Sequence, residues 1–104
     1  MSEKIYNKLV RDDIPKAIEE NNKKCETEIV KGEELKQLLN EKLQEEVQEY
    51  LETNDVEELT DIVEVIHGIL HHRNVTMKEL EDIRIKKKEE RGGFTKGVKL
   101  VKVY

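Results

Sequence analysis

The chain is 104 residues long, with 41% charged residues, 4% aromatics and a formal net charge of −5. That length suits one domain, and the composition leaves a thin core for a lone monomer; the residue patterns along the chain make the expected fold all-α with small terminal β elements. The acidic balance argues against nucleic-acid binding, which needs a basic footprint, and no apolar run reaches membrane-spanning length.

Ile5 to Val10 alternates loosely and reads as a short extended piece before Arg11-Asp12-Asp13-Ile14-Pro15. Asp13 is the expected N-cap of a short helix to about Asn21, with the only proline near its start. Cys25 to Val30 has β-branched residues in alternation (Thr27, Ile29) and is expected to be a strand. Cys25 has no second cysteine to pair with and is expected to be a small buried or half-buried side chain. No signal-like apolar stretch follows Met1-Ser2-Glu3-Lys4, so a cytoplasmic, soluble protein is expected.

Glu33 to Glu52 reads as helix, because Leu35, Leu38, Leu39, Leu43, Val47, Tyr50 and Leu51 recur at three- and four-residue intervals. With Leu35 at zero, the stripe runs from about 300° through zero to about 160°; Glu46 falls at about 20°, inside it, and Lys42 and Glu49 at about 340° and 320°. A carboxylate there is costly unless it is paired or coordinating. Asp55-Val56-Glu57-Glu58 opens the next helix as an Asp-x-x-Glu capping box. Its apolar residues, Val56 through Leu70, cover about half the circumference, with Glu58 inside the arc and Asp61 at its edge. Gly68 weakens this helix unless it permits a close helix approach. Thr76-Met77-Lys78-Glu79 is a second capping box for a helix to about Arg91, closed by Gly92-Gly93, and Phe94 to Tyr104 is expected to form a terminal strand.

Glu46 and Glu49 form one i, i+3 pair, Glu58 and Asp61 another, and both are centred on the same point between Thr53 and Asn54. If the two helices turn back there, the pairs meet at matching heights, roughly 7 and 11 Å from the turn. Such a cluster repels itself unless cations hold it. Hard oxygen donors of this kind suit Mg²⁺, with Mn²⁺ as a substitute, and leave coordination positions for substrate phosphates. The competing reading is a solvated acidic face with pairs such as Lys42–Glu46, in a chain with 24 acids. Glu64-x-x-His67 matches one half of a di-iron bundle motif, but it occurs once and faces away from the apolar arc. Lys86-Lys87-Lys88 with Arg91 is either ordinary helix C-terminal charge or a phosphate contact. No P-loop, nucleophile–base arrangement or zinc spacing is present.

The two acidic pairs resemble the hallmark of the MazG-like superfamily of all-α nucleoside-triphosphate pyrophosphohydrolases, a Glu-Glu-x-x-Glu helix followed by a Glu-x-x-Asp helix. Tyr6 to Pro15 and Arg91-Gly92-Gly93-Phe94 resemble the two ends of a subgroup labelled phosphoribosyl-ATP pyrophosphohydrolase-like. The resemblance implies an antiparallel helical hairpin within an oligomeric bundle, a dimer or tetramer. It further implies Mg²⁺-dependent cleavage between the α- and β-phosphates of a nucleotide. Position by position, it carries metal binding to Glu46, Glu49, Glu58 and Asp61, and a catalytic role to Glu45 and Glu46. Lys42 stands where some relatives have a basic residue near the phosphates, and Lys8, Arg11 and Arg91 in the end motifs are further candidate substrate contacts. One departure is the short spacing: eight residues separate Glu49 from Glu58. Substrate choice must then come from elsewhere, such as the N-terminal segment or a partner subunit. Pool cleaning of nucleoside triphosphates is the leading expectation, against phosphoribosyl-ATP hydrolysis in histidine synthesis and a non-catalytic helical dimerisation or regulatory module.

Overall fold

A computed structural model describes residues 3–104. It contains four helices: α1 (Ile14–Glu20), α2 (Gly32–Thr53), α3 (Val56–His72) and α4 (Met77–Arg91). The chain is all-α, and none of these helices is long and apolar enough to cross a membrane.

The helices start and stop close to where the periodicity places them, though the caps differ in detail. Thr76 caps α4 through its hydroxyl, which accepts from the Glu79 N–H at 3.1 Å. Asp13 and Asp55 stand at their N-cap positions without making side-chain cap bonds, so the capping box expected at Asp55 is not formed. Instead the Asp55 N–H donates to the Thr53 hydroxyl at 3.1 Å and helps to close the α2–α3 turn.

α2 and α3 pack along one another as an antiparallel hairpin, and no other helix pair packs comparably. The apolar stripes meet there: Leu39, Val65 and Leu70 are the buried apolar residues. A Cβ built on Gly68 would lie 3.2 Å from Leu39 Cδ2, so this glycine is what lets α2 and α3 approach closely. The rest of both stripes is half-buried or exposed, and α4 buries no residue.

The terminal β elements are not formed. Among the described residues there is no strand at 5–10, 25–30 or 94–104. A strand needs a partner for its backbone N–H and C=O groups, and these segments find none within the chain. Ile29, Val98, Val101 and Val103 accordingly stand exposed. Cys25 is exposed as well, on the same unpaired segment, and not buried.

Candidate metal centre

The α2–α3 turn sets the geometry. Asn54 adopts the left-handed conformation (φ 58°, ψ 22°), and its N–H donates to the Tyr50 carbonyl at 2.7 Å. The chain reverses within Asn54 and Asp55, so the symmetric spacing of the acids about the turn becomes spatial proximity. One carboxylate oxygen from each of Glu46, Glu49, Glu58 and Asp61 lies within 4.8 Å of the other three.

Glu46 is buried in the α2–α3 packing face, while its three companions are half-buried. Its Oε1 lies 3.2 Å from Lys42 Nζ. Its Oε2 is buried and has no hydrogen-bond partner. A buried carboxylate oxygen left unsatisfied is costly, and this one belongs to a group of hard oxygen donors close enough to share a cation. The donor set therefore could hold a metal ion.

The electrostatics point the same way. Repulsion from Glu46 first, with loss of solvent adding to it, pushes the Glu49 carboxyl above its ordinary value. Glu58 is raised first by loss of solvent and then by Asp61, Glu46 and Asp55. These acids resist ionising together unless positive charge is supplied. Glu58 lies in the first turn of α3, where the helix dipole favours an anion, whereas Glu49 lies near the C-terminal end of α2 and lacks that help.

Three cations border the cluster. Lys42 Nζ lies 3.1 Å from Glu45 Oε2 as well as near Glu46. Burial pulls its pKa down, but the two carboxylates outweigh burial and raise it, so Lys42 is firmly charged. Lys8 Nζ donates to Glu45 Oε1 at 2.7 Å, and this bond is the chief reason the Glu45 carboxyl lies below its ordinary value. Arg11 Nη2 donates to Asp61 Oδ1 at 2.6 Å. Residues 8 to 12 thus form a strap across the hairpin, tied to α2 by Lys8 and to α3 by Arg11. Arg91 is not brought to the cluster: it is exposed at the end of α4 and makes no ion pair among the described residues.

Between strap and hairpin, with none of the four acids in its lining, lies a cleft of about 370 Å³ bordered by Leu9, Val10, Leu39, Glu64, His67 and His71. Glu64 and His67, which face away from the apolar arc, are exposed to solvent as a solvated pair would be. The strap, which crosses that face, is what makes a cleft there. No known protein family matches the chain, and no curated protein or solved structure matches it either.

Proposed function

We propose that the chain is a MazG-like nucleotide pyrophosphohydrolase that cleaves a nucleoside triphosphate between its α- and β-phosphates, releasing a monophosphate and pyrophosphate. The observation that carries this reading is the unpartnered, buried Oε2 of Glu46 within a four-carboxylate cluster bordered by cations. Glu46, Glu49, Glu58 and Asp61 would hold Mg²⁺, with Mn²⁺ as a substitute. When bound, such an ion neutralises phosphate charge and lowers the pKa of a water.

The remaining work falls to the chain's own side chains. Lys42, Lys8 and Arg11 supply positive charge along one side of the acids, suited to phosphate oxygens. Glu45 is the candidate base for the attacking water. Gripped by Lys8 and Lys42 it is a weak base, and it gains proton affinity when those cations turn towards phosphate. The cleft under the strap is the space we assign to the nucleoside. Its floor residues Leu39 and Gly68 lie seven residues from Glu46 and Asp61 along their helices, about 10 Å by helix rise.

The exposed apolar residues on α2 and α3, such as Leu51, Leu59 and Val63, support a homo-oligomeric bundle in which a second copy covers them. A house-cleaning role in the cytoplasm is the setting that fits a small enzyme of this chemistry.

A panel of nucleoside triphosphates and phosphoribosyl-ATP, assayed for pyrophosphate with Mg²⁺ and with excess chelator, tests the proposal. Pyrophosphate and monophosphate should appear in equal amounts from a triphosphate, and only with the metal. Turnover of phosphoribosyl-ATP alone would move the protein to histidine synthesis. No turnover with any substrate, and no rise in melting temperature with Mg²⁺, would leave a non-catalytic helical module.

A further inference from the structure

Of the cations around the acidic cluster, Arg11 alone is bonded to one of the four clustered carboxylates from outside the hairpin. Its guanidinium takes Asp61 Oδ1 at 2.6 Å, across fifty residues of sequence. Lys8, three residues earlier on the same strap, takes Glu45, which is outside the cluster of four. Lys42 takes Glu45 and Glu46 from within α2. Two cations therefore approach the strap side of the hairpin at equal charge, but only one occupies an oxygen-bearing group that a metal ion needs.

The Arg11–Asp61 bond is made where solvent reaches it. The Arg11 side chain is 56% exposed and that of Asp61 35%. Ion pairs of this kind are weak and open readily. A divalent ion held by the four carboxylates would carry twice the charge and could supply the partner that the buried Glu46 Oε2 lacks and that Arg11 does not provide. The arginine thus offsets part of the cluster's repulsion but does not complete the site.

We propose that Arg11 is an exchangeable counter-ion of this site. It holds Asp61 in the absence of metal, a divalent ion displaces it, and the freed guanidinium becomes a contact for the phosphates of the substrate. This rests on the divalent site proposed above. Binding is then coupled: the metal releases the residue that the anion needs, so cation binding favours anion binding beyond any direct metal–phosphate contact. A guanidinium suits the second role, since its planar fork matches a phosphate edge.

Titration calorimetry with Mn²⁺ alone on the intact wild-type chain, Arg11→Gln, Arg11→Lys and Lys8→Gln tests the exchange. Removing a competing surface ion pair is worth about a two- to five-fold change in affinity. Arg11→Gln should tighten Mn²⁺ by that factor, Arg11→Lys by less, and Lys8→Gln by clearly less than Arg11→Gln. With Mn²⁺ saturating, Arg11→Gln should weaken binding of pyrophosphate. Circular dichroism checks that the variants keep their helix, which the exposed position of Arg11 favours. Unchanged or weaker Mn²⁺ binding in Arg11→Gln, beside normal wild-type binding, would overturn the exchange and leave the metal site standing. Equal tightening by Lys8→Gln would reduce Arg11 to general charge and overturn it too. No Mn²⁺ binding by the wild type would overturn both the exchange and the proposed function.

Discussion

Glu46 stands in the packing face of α2 with one oxygen on Lys42 and the other buried without a partner. Its burial was legible in the sequence, because a 100° step per residue puts it inside the leucine stripe. The missing partner was not, since that depends on what α3 brings opposite. Glu46→Gln removes one of four crowded charges and leaves Lys42 its bond to Glu45. The metal-free protein should therefore melt at a higher temperature, while the rise on adding Mg²⁺ disappears; circular dichroism melts read both. A lower melting temperature would make Glu46 a structural partner of Lys42. The clustered acids also set the pH dependence. Glu49 and Glu58 titrate above their ordinary 4.5 in the folded chain. Their contribution to metal-free stability is thus full below 4.5 and lost as pH rises through the folded values. Glu45 has the opposite sign: its pKa is lowered, so its contribution is present above 4.5 and lost as pH falls through the folded value. Since the metal needs ionised carboxylates, the melting-temperature increase on adding Mg²⁺ should be larger at pH 7 than at pH 5. An equal increase at both would argue against binding through these acids.

The α2–α3 hairpin is where sequence and structure agree most closely. The acids are symmetric about Thr53–Asn54, and Asn54 takes the left-handed conformation that asparagine tolerates better than most residues. The apolar periodicity of α2 and α3 and the Gly92 C-cap of α4 were equally readable. The β expectations failed for a specific reason. Alternation at Thr27 and Ile29 or along Val98 to Val103 identifies residues that suit a strand, but a strand exists only with a partner, and pairing is not a local property. The strap was half legible: Lys8 and Arg11 stood out as cations in a motif, but their partners, Glu45 and Asp61, lie far along the chain. Gly68 gives a test at this scale. Gly68→Val places two methyls beyond a Cβ position already 3.2 Å from Leu39 Cδ2. It should cost about 1–3 kcal/mol in urea unfolding. A variant as stable as the wild type would mean the hairpin packs more loosely than that contact implies.

At the scale of the molecule, the single chain is elongated. Its radius of gyration is 18.3 Å and its longest extent 63 Å, against about 13 Å for a compact domain of similar length. Among the described residues, only Leu39, Val65 and Leu70 form its buried apolar core. The 4% aromatic content already pointed to a thin core; the arrangement of the uncovered faces could not be read before the helices were placed. Light scattering behind a sizing column should show a dimer or a tetramer, with the helical signal and the oligomer lost together on dilution or in denaturant. A stable, folded monomer would show that the hairpin alone supports the fold.

The claim on which the rest depends is that Glu46, Glu49, Glu58 and Asp61 together hold a divalent cation. Calorimetric titration of Mg²⁺ into the metal-free wild-type chain and into Glu46→Gln tests it directly. Saturable binding by the wild type that Glu46→Gln weakens at least tenfold is the expected result. Absence of binding, or equal binding by both, would contradict it.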